Sequence, residues 1–193
     1  MSWSPTCLTG EMMPDGAAPC GAAGSSGWWE GASHVFPTRV YYEDTDAGGI
    51  VYHASYLRFA ERARNEMLRL SGFPHAAMVA ETGVALAVRH CEIDYRQPAR
   101  LDDALEVVTR IVDIGAATLE IEQDVRRTAG LAWGGVGAVT GVDPLVRLAL
   151  RLACINAQGR PVRLPAALRS VLVNVQPGAL RPARVNNLSK GQD

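Results

Sequence analysis

One change of period limits what this chain can fold into. From Ala54 to about Gly72 the apolar residues Phe59, Ala60, Ala63, Met67 and Leu70 recur at steps of three and four, the spacing of an amphipathic helix about 28 Å long. Gly72 supplies the stop. After a short helical piece near His75 to Glu81, the helical period gives way to long strands. Val84 to Gln97 reads as one, ending at Pro98. Next come "ALEVVTRIVDIG", with Leu105, Val107, Thr109 and Ile111 on one face, and "ATLEIEQDVRR", with Leu119, Ile121 and Val125 set against Glu120, Glu122, Asp124 and Arg126. Gly115 and Ala116 sit where a tight hairpin turns. A fourth strand, "LVRLALRLACIN", points Val146, Leu148, Leu150 and Leu152 inward and Arg147 and Arg151 outward. With "VFPTRVYYED" as a strand ahead of the helix, the order is strand, long helix, four strands, and then a closing helix from about Pro165. That is an α+β plan with one helix laid across an antiparallel sheet. One helix covers one sheet face, so the apolar content of the other face predicts burial against a second subunit.

The chain has 193 residues, enough for one domain with appendages. Residues 1–34 are rich in Gly, Ala, Ser and Pro without an apolar period, and are expected to form a disordered N-terminal extension. The folded domain is expected over 35–173, interrupted by a Gly-rich irregular segment at 128–144, with a polar C-terminal tail over 174–193. The formal charge of -1 gives no basic excess for a nucleic-acid backbone. The basic residues are 18 Arg and one Lys, a bias that discounts any single Arg as a functional signal. Cys7, Cys20, Cys91 and Cys154 have no C-x-x-C spacing and the His residues are scattered, so neither a metal site nor a disulfide framework is expected. Free thiols fit a reducing cytoplasm, and no export signal or membrane span is expected.

Projection at 100° per residue places Tyr56, Leu57, Arg64 and, one turn ahead of Leu57, His53 on the apolar arc of the helix. Arg64 on that arc either snorkels or meets a partner, such as Glu61 or a group across a subunit boundary. Glu66 is available to pair with Arg62. His90 and Cys91 fall on a strand expected to be largely buried, which makes them core residues.

Three features converge on residues 44–53. Asp44 and Asp46 alternate at a strand end, Gly48 and Gly49 let the backbone approach a ligand closely, and the helix that follows presents unpaired N–H groups. A helix start stabilises negative charge developing on a carbonyl oxygen, and a nearby carboxylate can attack that carbon or activate water. Asp44 is equally consistent with a simple cap. The "DTDAGG" stretch does not make a calcium loop, since counting from Asp44 puts Ser55 at the twelfth position, where Glu is needed. There is no G-K-[ST] and no G-x-S-x-G. A carboxylate-based site remains.

The stretch "YYEDTDAGGIVYHASYLRFAERAR" resembles the signature of the hot-dog fold acyl-CoA thioesterases, specifically the YbgC type within the 4-hydroxybenzoyl-CoA thioesterase family. The pattern D-x-D-x-x-G-x-V-Y-H-x-x-Y-x-x-x-x-E-x-x-R is met by Asp44, Asp46, Gly49, Val51, Tyr52, His53, Tyr56, Glu61 and Arg64. "IDYRQPARLDDALEV" and "RPVRLPAALR" are also similar to the family, whereas the first 34 residues and the Gly-rich segment depart from it. The resemblance implies a hot-dog fold of about five antiparallel strands wrapped around the long helix, paired into dimers or tetramers with active sites at the subunit boundary. It implies hydrolysis of acyl-CoA to free acid and coenzyme A without a metal or cofactor. Asp46 is then the nucleophile or general base, the main-chain N–H groups of Tyr52 and His53 polarise the carbonyl, and the His53 side chain orients the reacting groups. Gly49, Val51, Tyr56 and Glu61 become the substrate-binding candidates. Two alternatives share this site: a thioesterase acting on an acyl carrier protein, and a non-enzymatic acyl-CoA-binding or scaffolding subunit linked to the Tol-Pal system.

Overall fold

Alternation decides which way each strand faces, and the faces decide where the helix lies. The computed structural model describes residues 26–128 and 143–175. Its strands are β1 (Trp28–Glu30), β2 (Ser33–Arg39), β3 (Val84–Tyr95), β4 (Ala104–Ile114), β5 (Thr118–Arg127) and β6 (Val146–Asn156). They form one antiparallel sheet in the order β1-β2-β4-β5-β6-β3. The residues expected inward are buried: Leu105, Val107, Thr109 and Ile111 on β4, Leu119, Ile121 and Val125 on β5, and Val146, Leu148, Leu150 and Leu152 on β6. The hairpin turn falls after Ile114, where the Gly115 N–H bonds the Thr118 carbonyl at 2.9 Å.

Against that face lies α1 (Ser55–Leu70), with Tyr56, Phe59, Ala60, Ala63 and Met67 buried. Its end is set by Gly72, at φ +87. There the Phe73 N–H reaches back to the Leu68 carbonyl (2.8 Å) and the Gly72 N–H to the Arg69 carbonyl (3.0 Å), the two bonds of a Schellman motif. After it come α2 (His75–Thr82) and, beyond Pro165, α3 (Ala166–Asn174).

Several expectations need correction. Regular structure begins at Trp28 rather than Val35, and the sheet has six strands rather than five. Gly31, at φ +58, turns the chain so that Glu30 pairs with Ser33. Gly27 packs so closely that a Cβ there would stand 2.2 Å from the Val35 carbonyl oxygen. His34 is wholly buried, with Nε2 2.8 Å from the Ser26 carbonyl and its ring against Trp29. The rest of the expected extension (1–25), nearly all of the Gly-rich segment (129–142) and most of the C-terminal tail (176–193) lie outside the described residues.

The face of the sheet away from α1 is charged rather than apolar. Asp124 is buried under Arg110 (2.7 Å) and Arg147 (2.9 Å), and Glu120 pairs with Arg151 at 2.7 Å. β3 is not largely buried either, because it is the last strand of the sheet. His90 on it is exposed and 3.1 Å from Glu92, while Cys91 is half-buried. Glu66 pairs with Arg69 (3.1 Å) and the Ser26 hydroxyl (2.6 Å) in place of Arg62.

Arg64 does point inward, and its partners decide the question left open at that position. Its Nη1 donates to Gln123 Oε1 at 2.9 Å and its Nη2 to Glu61. The Gln123 amide in turn donates to the Ala60 carbonyl and the Thr109 hydroxyl. A buried guanidinium is tolerable because these groups satisfy it.

Candidate active site

The segment between β2 and α1 folds back on itself. Tyr42–Asp44 makes a single 3-10 turn, and then two short arms run antiparallel. Thr45 bridges Val51, the Asp46 N–H bonds the Ile50 carbonyl at 3.1 Å, and the Tyr52 N–H bonds the Asp44 carbonyl at 2.8 Å. Gly49, at φ +70, makes the turn at the tip, in the left-handed region that only Gly adopts readily. The arms hold Asp46 on one side and deliver Tyr52, His53 and the start of α1 on the other.

The two acidic residues separate in role. Asp44 is 1 % exposed. One of its carboxylate oxygens accepts the Tyr41 N–H at 3.0 Å, and the other lies 3.5 Å from Arg58, an ion pair without hydrogen-bond geometry. Its carbonyl takes the Ser55 hydroxyl at 3.1 Å, so Asp44 ties the loop to the first turn of α1. Asp46 is exposed. Its Oδ1 accepts the Gly48 N–H at 2.8 Å, and its Oδ2 makes no hydrogen bond among the described residues. A Cβ at Gly48 would stand 3.0 Å from Oδ1, so that position favours Gly through proximity.

His53 does not point into the core as the helical projection predicted. It precedes the first helical residue and adopts a turn, so a 100° step does not carry to it; its ring is exposed between Tyr52 (centroids 4.3 Å) and Tyr95 (6.4 Å, edge-on). The Tyr95 hydroxyl donates to the His53 carbonyl at 3.1 Å. Burial raises the Tyr95 phenol above its ordinary 10.0, with Cys91 adding to the rise, so it keeps its proton at neutral pH. Tyr95 is the site neighbour that sequence reasoning missed. It ends an alternating strand, and nothing in the alternation sets it apart.

Three further expectations change. The Tyr52 N–H is taken by the Asp44 carbonyl, whereas the His53 N–H has no hydrogen bond among the described residues. Val51 is 3 % exposed and its N–H bonds the Ala99 carbonyl, so it belongs to the core. Tyr56, 2 % exposed, accepts the Ala99 N–H on its hydroxyl at 2.9 Å and braces the loop after β3. Glu61 lies further along α1, half-exposed and paired to Arg64. Asp46 and His53 line neither of two cavities found among the described residues. One is on the charged outer face and the other lies between α1, α2 and β3.

A family model described as the thioesterase-like superfamily matches residues 40–172. The chain is 38 % identical over 136 residues to the acyl-CoA thioesterase YbgC of Haemophilus influenzae, covering 70 % of this chain and 90 % of that protein. It is 53 % identical over 90 residues to the acyl-CoA thioester hydrolase YbgC of Escherichia coli O157:H7, spanning 47 % of this chain and 66 % of that relative. Among solved structures, a probable thioesterase from Bartonella henselae superposes with a TM-score of 0.59 at 37 % identity, covering 69 % of this chain and 99 % of that one.

Proposed function

The chain belongs to the thioesterase-like superfamily, and on that premise we propose that it hydrolyses acyl-CoA thioesters to a free acid and coenzyme A with Asp46 as the catalytic carboxylate. The observation that carries this reading is the state of the Asp46 carboxylate: Gly48 fixes one oxygen, and the other is free at the loop that leads into α1. Held on one oxygen, the group loses rotamer freedom before substrate arrives, and the free oxygen faces a reaction partner without first breaking a bond.

Two routes use this geometry. In one, Asp46 Oδ2 attacks the thioester carbon, coenzyme A leaves as a thiolate, and water then cleaves the resulting mixed anhydride. In the other, Asp46 takes a proton from water, which attacks the same carbon. Either way the carbonyl oxygen gains negative charge, and the His53 N–H together with the start of α1 stabilises it. The His53 ring, held between Tyr52 and Tyr95, supplies a proton donor or acceptor for the leaving sulfur. Neither route requires a metal or a redox cofactor.

The reaction is proposed to take place in the cytoplasm, in a homo-oligomer. Support for oligomer formation comes from β3, which is the last strand of the sheet among the described residues, and from the exposed Val88 and Tyr95 on it. No helix among the described residues is long and apolar enough to cross a membrane.

The test is thiol release from acyl-CoA by purified protein. Asp46→Asn is expected to lose at least about 10²-fold in kcat while keeping its circular dichroism spectrum. A fully active Asp46→Asn protein would show that another group carries the chemistry.

A further inference from the structure

The loop that carries Asp46 is closed at its base by one backbone carbonyl. The Asp44 carbonyl accepts the Tyr52 N–H at 2.8 Å and the Ser55 hydroxyl at 3.1 Å. It thereby joins the arm leading to Asp46, the arm leading to His53 and the start of α1. Arg58, the fourth residue of α1, braces this junction. Its Nη2 donates to the Ser55 hydroxyl at 2.9 Å and lies 3.5 Å from Asp44 Oδ1. That oxygen is buried and accepts no hydrogen bond among the described residues, while Oδ2 takes the Tyr41 N–H. Arg58 makes the only ion pair to Asp44 among the described residues. α1 starts without a side-chain cap and without an acidic residue in its first turn, so a cation near that end opposes the helix dipole unless a carboxylate offsets it. Arg58 also falls at a position that the Asp44-to-Arg64 pattern leaves unspecified.

We propose that Arg58 is a positioning residue for hydrolysis: by balancing the Asp44 charge and holding the Ser55 hydroxyl, it fixes the base of the loop and with it the placement of Asp46 relative to the His53 N–H. The inference rests on the thioester-hydrolase reading, which sets the thioester between those two groups. Asp46 lies two residues beyond Asp44 on one arm, and His53 directly follows Tyr52 on the other, so a shift at the Asp44–Tyr52 junction changes the spacing of carboxylate and donor. Without Arg58, Asp44 is a buried charge held by one hydrogen bond. Such a charge is relieved by turning toward water, and that movement draws the Asp44 carbonyl off the Tyr52 N–H and the Ser55 hydroxyl. Arg58 acts through these groups and meets no reacting atom, so its loss falls on kcat and leaves KM alone. Its guanidinium is 53 % exposed, and direct contact with a phosphate of coenzyme A would instead raise KM.

Steady-state thiol release from acyl-CoA by full-length variants tests this. Arg58→Met is expected to lower kcat about tenfold and to leave KM within about twofold. Arg58→Lys, which keeps the charge beside Asp44, is expected to stay within about threefold of wild type in kcat. Arg58→Gln, which keeps a donor for Ser55 without the charge, is expected to fall with Arg58→Met and replaces it where Arg58→Met does not fold. In an Asp44→Asn background, Arg58→Met is expected to cost no more than about twofold, because no buried charge remains to be balanced. An unchanged kcat in Arg58→Met overturns the proposal, as does a loss carried by KM or an equal loss in the Asp44→Asn background. Amide hydrogen exchange gives a reading independent of turnover: Arg58→Met is expected to speed exchange at the Tyr52 and Ser55 N–H groups by about tenfold, with Ala60 and Ala63 unchanged. No acceleration, or the same acceleration along all of α1, counts against the proposal. A wild-type protein that releases no thiol refutes hydrolysis itself, while the exchange pattern still decides whether Arg58 holds the loop.

Discussion

At Asp46 a single main-chain N–H, that of Gly48, holds one carboxylate oxygen and leaves the other free. Two residues earlier Asp44 is spent on structure, bonded to the Tyr41 N–H and neutralised by Arg58 beneath the loop. Alternation alone left Asp44 open between cap and site. Its burial assigns it to the loop, because a carboxylate with no accessible surface cannot meet a substrate. Tyr95 is the residue whose role the surroundings decide. Its hydroxyl holds the His53 carbonyl, and its ring edge meets both His53 and Tyr56. Tyr95→Phe is expected to lower kcat/KM by about 3- to 10-fold, with stability changed by no more than about 1 kcal/mol, since one exposed hydrogen bond is removed and the ring is kept. Steady-state kinetics beside urea denaturation separate the two effects. Unchanged kinetics would mean that the hydroxyl does not position His53.

Among the elements, the β1–β2 hairpin departs most from expectation. Averaged over 34 residues the composition reads as a tail, yet Trp28, Trp29 and His34 lie within a few residues of a Gly turn and give the segment something to bury. His34 carries a pH signature. Burial lowers its pKa from the ordinary 6.5, against the opposing Ser26 carbonyl bond and the Glu66 charge. The folded state therefore prefers the neutral ring. Its contribution to stability is complete above about pH 6.5 and is lost as the pH falls from there through the lowered folded value, because the unfolded chain binds the proton first. Denaturation midpoints are expected to hold steady from pH 8 to 7 and fall below 6.5, and His34→Phe is expected to flatten that fall. An identical slope in His34→Phe would assign the acid sensitivity elsewhere. In α1 the sequence placed the Gly72 stop and the middle of the apolar arc, while Leu57 and Leu70, expected on that arc, are 40 % and 43 % exposed. It left the Arg64 partner open, because Gln123 lies 59 residues away on β5 and no local pattern links the two.

For the whole molecule, the surface proposed to join copies of the chain is the β3 edge. The outward backbone groups of β3, the last strand of the sheet among the described residues, with Val88 (48 % exposed) and Tyr95 on the same strand, form a template for another strand, whereas the outer sheet face is covered by Asp124, Glu120 and their Arg partners. Sedimentation at micromolar concentration is expected to give a dimer or larger. Val88→Lys is expected to shift the mass toward monomer and to lower thiol release in parallel, since a charge on the joining edge opposes pairing. A wild-type protein that sediments as a monomer and is fully active would refute assembly as a condition of activity.

What the sequence determined by itself is what short-range physics encodes. Helical spacing fixed α1, alternation fixed the inward faces of β4, β5 and β6, and Gly115 and Gly72 fixed a turn and a stop. A 21-residue motif from Asp44 to Arg64 singled out the loop on which the proposed catalytic carboxylate, Asp46, lies. The tertiary structure alone decided which groups compete for each donor and acceptor. The Tyr52 N–H goes to Asp44, Val51 and Tyr56 go to the core, and β3 stands at the sheet edge. Each of those outcomes depends on residues distant in sequence meeting in space, and pairing energies between such residues leave no periodic trace along the chain.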